Sequence, residues 1–171
     1  MSNRVLRPAA RFVGKWEGFL PNAYLDQIAQ PPVWTIGFGH TGGVSPGQHV
    51  TRSTAELVLA EDLRSAARTV AEKVTAPLTL RQRMALISIV FNVGPGALTN
   101  PDGSATHLLA AVNDRRYKEA ADRFLEWDHA GGVVVQGLLN RRRAERWMFL
   151  HSLHPRNPHK PKPHRKAALP A

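Results

Sequence analysis

The sequence predicts an α+β fold: a small sheet lobe over about residues 23–50, set beside a mainly helical lobe. Three observations carry this. Apolar residues alternate with small ones through Trp34-Thr35-Ile36-Gly37-Phe38-Gly39-His40, the period of two of a strand. Apolar residues then recur every three or four positions over most of the chain from residue 53 to about 150, the mark of amphipathic helices. Two capping-box sequences, Ser53-Thr54-Ala55-Glu56 and Thr79-Leu80-Arg81-Gln82, stand where helices would open.

Taken in order, a first helix is expected from about Pro8 to Glu17. Proline suits a first helical turn, and Val13, Trp16 and Leu20 share a face. Gly18 and Pro21-Asn22 stop it. Pro31-Pro32, Gly42-Gly43 and Pro46-Gly47 mark the turns of the sheet lobe. The next helix carries Leu57, Ala60, Leu63, Ala67, Val70 and Val74 on one stripe. The one after carries Met84, Ile87 and Phe91 and stops at Gly94-Pro95-Gly96. Shorter helices fit 105–112 and 117–127, and a last one fits 140–153. The loop at Val133-Val134-Val135 is too apolar to lie wholly in water.

From His154 the composition changes. Proline alternates with Lys, Arg and His through residue 166, which a packed helix does not tolerate. We therefore divide the chain at 153/154, with a basic, extended tail over 154–171. The three His of that tail lack a fixed geometry for a defined metal site.

The 171 residues suffice for one domain with a real core. No apolar run approaches the roughly 18 residues of a membrane span, and the first residues lack a signal-peptide pattern. No cysteine is present, which excludes a disulfide, a thiolate zinc site and a thiol nucleophile. The formal charge of +10 and a pI near 11.0 favour polyanionic partners. Specific nucleic-acid binding is not indicated, since the basic residues are not interleaved with stacking aromatics in any known motif.

The chemistry concentrates in Glu17, Asp26 and Thr35. Two carboxylates with a hydroxyl on a nearby glycine-laced strand suffice to hydrolyse a glycosidic bond. One acid protonates the leaving oxygen, one base activates water, and the hydroxyl holds that water. Glu17 lies beside Trp16 and Phe19, an apolar setting that suits a protonated carboxyl. Its bland alternative is a surface Glu in a helix's last turn, where the dipole disfavours an anion. Asp26 read alone is an ordinary turn residue, and Thr35 an ordinary strand residue.

The run Trp16-Glu17-Gly18-Phe19, Ala23-Tyr24-Leu25-Asp26 and Trp34 through His40 resembles the phage-type lysozymes. So do Phe91-Asn92-Val93-Gly94, Trp127-Asp128-His129-Ala130-Gly131-Gly132, Gly137-Leu138 and Arg141-Arg142-Arg143-Ala144-Glu145-Arg146, in the same order. The likeness extends to about residue 150. It implies a lysozyme-like α+β fold with the cleft between lobes, and a muramidase acting on peptidoglycan without a cofactor or metal. It makes Glu17 the acid and Asp26 with Thr35 the water-holding pair, in a single displacement with inversion. Some relatives carry Cys where Asp26 stands.

The substrate-side candidates are Gly37, His40, Asn92, Arg142 and Arg143. Gly37 and Gly39 admit close approach of backbone to sugar, or merely a bulge. His40 serves as a proton shuttle or, in the preferred reading, as a hydrogen-bonding anchor of the hairpin. Asn92 stands where the family has an amide in the cleft, and it is equally placed as a helix cap. One arginine of 141–143 is expected to pair with Glu17 or line the cleft; the Arg-Ala-Glu-Arg frame favours Arg143, then Arg142. The segment between Asp26 and Thr35 is a few residues longer than the family leads one to expect.

As an endolysin, such a protein would be a monomer held in the host cytoplasm until release to the wall, its basic tail attracted to anionic lipopolysaccharide. The rivals are a wall-binding protein that no longer cuts and a tail-associated lysozyme.

Overall fold

The computed structural model describes residues 3–27, 31–130 and 132–151. The tail boundary, and residues 28–30 of the longer Asp26–Thr35 segment, lie outside the described residues. The elements run α1 (Asn3–Val13), β1 (Leu20–Asp26), β2 (Val33–Gly37), α2 (Arg52–Lys73), α3 (Leu80–Val93), α4 (His107–Asn113), α5 (Tyr117–Arg123), β3 (His129–Ala130), β4 (Val133–Val134) and α6 (Gln136–Leu150). The α+β class is as expected.

Helix α1 starts a turn or more earlier than the sequence suggested, and Pro8 sits inside it. The reason is the buried stripe Val5, Leu6, Ala9, Ala10 and Val13, which extends the apolar face back past the proline. Regular helix ends at Val13, but Glu17 N still donates to Val13 O at 3.2 Å, so one more turn carries the chain to Glu17. Helix α2 also opens early. Its cap is Thr51, whose hydroxyl accepts from Thr54 N at 3.2 Å, rather than Ser53. Leu57, expected on the buried stripe, is exposed; Leu59 and Ala66 take the inner face with Ala60, Leu63, Ala67 and Val70.

The capping box of α3 forms as read. Gln82 N donates to the Thr79 hydroxyl at 3.3 Å, and Thr79 N donates to Gln82 Oε1 at 2.9 Å. Helix α3 is the axis of the core. Ala85, Leu86, Ile87, Ser88, Ile89 and Val90 are all buried, with α1, α2 and α6 packed around them. Val133, Val134 and Val135 are 67, 50 and 38 % exposed: the loop is largely open to solvent, though not wholly so. Its two-residue strands pair His129 with Val134 and Ala130 with Val133.

The sheet lobe is an antiparallel hairpin pairing Leu20 with Gly37, Tyr24 with Thr35 and Asp26 with Val33. Its register breaks between Leu20 and Tyr24 because β1 turns there to a third segment. Val50 N donates to Pro21 O at 2.8 Å and Ala23 N to Gln48 O at 2.9 Å. Pro21, with no N–H, can only accept, and it does so at this bulge.

Candidate active site

The pairing fixes how Asp26 and Thr35 stand to each other. Asp26 lies opposite Val33 and Thr35 opposite Tyr24, so Asp26 and Thr35 project from one face as diagonal neighbours. Such neighbours are about 7–8 Å apart at the backbone, close enough for one water to meet both side chains. Thr35 is buried, and its hydroxyl donates weakly to Val33 O at 3.3 Å. Asp26 is half-buried.

Glu17 leaves the helical lobe three residues before β1 begins. Its carboxylate accepts from Arg141 Nη1 at 2.7 Å. The Glu17 side chain is 27 % exposed and that of Arg141 only 4 %. The apolar setting expected for Glu17 is therefore incomplete: its partner is a buried cation. Around the hollow that Glu17 lines stand Arg11, Lys15, Phe38, Arg52 and Glu56. Phe19 and Phe38 pack at 5.3 Å under the Arg52 guanidinium, which lies 4.9 and 5.5 Å from the two rings. That cluster ties the hairpin's open end to the start of α2.

The arginine beside Glu17 is thus Arg141, neither Arg143 nor Arg142. Arg143 is exposed on the outer side of α6. Arg142 is wholly buried, donates to Asn92 Oδ1, and lies 3.1 Å from a Glu145 carboxylate oxygen. Burial rules out direct contact of Arg142 with a glycan. Asn92 itself is exposed and lines a groove with Val93, Glu126, Trp127, His129 and Leu138. Arg142 holds the carbonyl of its amide, which turns the amide's donor side away from that contact.

Gly37 and His40 face α2, and with Val50, Ala55 and Asp62 they line a small hollow between the hairpin and that helix. Gly37 has φ +68° and is buried, and a Cβ there would stand 3.1 Å from the Ala55 Cβ. His40 closes a tight turn with Ile36, each N–H reaching the other's carbonyl at 2.9–3.0 Å. Its Nδ1 lies 3.0 Å from Asp62 Oδ2 on α2, and its Nε2 is 2.8 Å from Gly42 O. Both ring nitrogens are engaged, so the imidazole anchors the hairpin.

Sequence reasoning missed two residues, Glu145 and Ser88. Glu145, fully buried, accepts from the Ser88 hydroxyl at 2.5 Å and from Arg141 Nε at 3.3 Å. Its other oxygen meets Arg142 without the alignment of a hydrogen bond. Burial pushes the Glu145 carboxyl above its ordinary value, against the pull of Arg142, Ser88 and Arg141. Burial likewise pulls Arg142 down. Two signals were available: the i, i+4 and i, i+3 spacings of Glu145 from Arg141 and Arg142, and Ser88 as a lone hydroxyl in the apolar run Ala85–Phe91.

The phage lysozyme family model matches residues 14–145, and the chain belongs to that family. It is 37% identical over 139 residues to the endolysin of Salmonella phage P22, covering 78% of this chain and 89% of that one. It is 34% identical over 139 residues to the endolysin of Bacillus phage B103, covering 81% of this chain but 51% of the phage protein. The chain therefore spans about half the length of the Bacillus phage relatives it matches. A P22 lysozyme variant superposes with a TM-score of 0.72 at 32% identity, covering 88% of this chain and 97% of that one. The muramidase domain of SpmX from Asticaccaulis excentricus does so with 0.72 at 31%, covering 85% and 97%.

Proposed function

We propose that the chain is a bacteriolytic muramidase, an endolysin that hydrolyses the β-1,4 bond between N-acetylmuramic acid and N-acetylglucosamine in peptidoglycan. The observation that carries the reading is the shared hairpin face of Asp26 and Thr35, with Glu17 held by Arg141 just before that hairpin opens. Glu17 protonates the glycosidic oxygen as the bond lengthens toward an oxocarbenium-like state. Asp26 and Thr35 align the attacking water, and Asp26 takes its proton. Water attacking from the face opposite the leaving group inverts the anomeric carbon. The free amide donor of Asn92 is placed to meet an N-acetyl carbonyl in the groove it lines. No step calls for a metal or organic cofactor.

Glu17→Gln tests this. The amide keeps the shape and cannot deliver a proton, so release of reducing ends from purified peptidoglycan should fall about 10²–10⁴-fold with the fold retained. A purified variant retaining more than about a tenth of parent activity removes Glu17 from the mechanism. A protein that binds walls and releases nothing would be a binding module instead. Proton NMR of the first product anomer decides inversion.

The enzyme acts as a monomer on the wall, from the cytoplasmic side after release. Among the described residues no helix is long and apolar enough to cross a membrane. The basic residues of 154–171 supply attraction to the anionic outer leaflet of Gram-negative cells. That attraction is screened beyond about 10 Å at 0.1 M salt. Full-length and 1–153 proteins should differ on intact cells at low salt and agree on soluble fragments; identical salt series would leave the tail without this role.

A further inference from the structure

We propose that Glu145 and Ser88 form a buried positioning unit that acts on Glu17 through Arg141, aiming the guanidinium and offsetting its charge. The inference deepens the muramidase reading and rests on it. Glu145 is fully buried and cannot touch a glycan. Its contacts are with Arg141, Arg142 and Ser88, and Arg141 is the group bonded to Glu17.

The aim is set by the guanidinium's own shape. Arg141 Nε faces Glu145 at 3.3 Å, and Nη2 faces the Ser88 carbonyl at 3.4 Å and hydroxyl at 3.5 Å. A planar fork pinned on those two sides can present only Nη1 outward, and Nη1 meets Glu17 at 2.7 Å. The Ser88 hydroxyl is itself fixed by its 2.5 Å bond to Glu145.

Arg141 and Arg142 are neighbours and both are buried. Among the described residues Glu17 and Glu145 are the carboxylates paired with Arg141; without Glu145, Glu17 would answer that cation alone, and a general acid so clamped gives up its catalytic proton at lower pH. Glu145 draws that positive charge inward and leaves Glu17 one hydrogen bond from Arg141. The other charged groups lining the hollow beside Glu17 are Arg11 and Lys15 on its own segment and Arg52 and Glu56 on α2. The substitutions below leave all four in place, so a shift reports on Glu145.

The test is Glu145→Gln in the full chain, with kcat and KM for soluble peptidoglycan fragments measured against pH. The alkaline limb, where the general acid loses its proton, should move to lower pH by about one unit. That is roughly a tenfold loss on the limb, with KM unchanged and Glu145→Asp restoring part of it. A folded Glu145→Gln protein with an unmoved limb overturns the proposal. Should that variant not fold, Ser88→Ala carries the test, since it removes one hydroxyl and leaves every charge. Its limb should move the same way by less, and an unmoved limb overturns the proposal equally. If the parent itself releases no fragments, the muramidase reading fails instead. The Glu17 carboxyl titration, followed by ¹³C NMR in the parent and in whichever of the two variants folds, then decides: a curve displaced to lower pH supports the unit, and superimposable curves overturn it.

Discussion

Two regions flank Glu17, the hairpin that follows it in the chain and the α3–α6 side it pairs with through Arg141, and they are built on opposite principles. The hairpin side carries Asp26 and Thr35 on paired strands, anchored at the edge by His40, Phe38 and the Arg52 cluster. Most of its residues are exposed or half-exposed. The α3–α6 side carries its active group, Arg141, on charges sealed inside the core. A hairpin on the surface can be lengthened or reshaped around its substrate at little cost in stability. A buried charge network cannot, because every member depends on its partners. Chemistry and stability should therefore separate on the hairpin and stay coupled at α3–α6.

The strongest way to break this comparison is Arg142→Ala. It removes a wholly buried cation that no substrate can reach, strands Glu145 beside Arg141 alone, and frees the Asn92 amide. Breaking a buried ion pair from one side costs about 3–5 kcal/mol. Urea unfolding should record a loss of that size, with activity per folded molecule also reduced. A variant as stable as the parent would show the network to be ornamental, and the contrast between the two regions would vanish.

Gly37→Ala sharpens the hairpin side. The left-handed backbone at φ +68° costs an alanine about 1–2 kcal/mol, and the Ala55 Cβ stands 3.1 Å from the new methyl. The residue faces α2, so thermal unfolding should register the loss while KM for wall fragments holds. A raised KM with unchanged stability would instead put Gly37 against sugar.

How much of this was legible in the sequence follows the same divide. The hairpin lobe declared itself because period-two alternation and glycine turns are local signals, and the capping box at Thr79 is read from four consecutive residues. The early starts of α1 and α2 were missed for a related reason. A proline and a serine box mark boundaries by local rule, whereas the buried stripe from Val5 and the Thr51 cap decide them. The hidden network was harder. Glu145 and Ser88 are 57 residues apart, and a charged residue on a basic helix reads as surface until the fold turns it inward. Choosing Arg143 over Arg141 was a question of helix phase. A shift of two positions on α6 is about half a turn, enough to exchange the core face for solvent.

The smallest effect is expected where the helical lobe is not sealed. Val133 is 67 % exposed on the β3–β4 loop, paired through its backbone with Ala130 and packed against little. Val133→Thr keeps the β-branched shape and adds a hydroxyl that water can reach. Stability should change by less than about 0.5 kcal/mol, the surface range, and the alkaline limb of activity should stay in place. This serves as the control for Arg142→Ala: one residue is a cation sealed in the core, the other an uncharged side chain open to water. If Val133→Thr cost as much as a core substitution, the exposed loop would have to pack against something in solution. The boundary between yielding and sealed regions would then have to be redrawn around it.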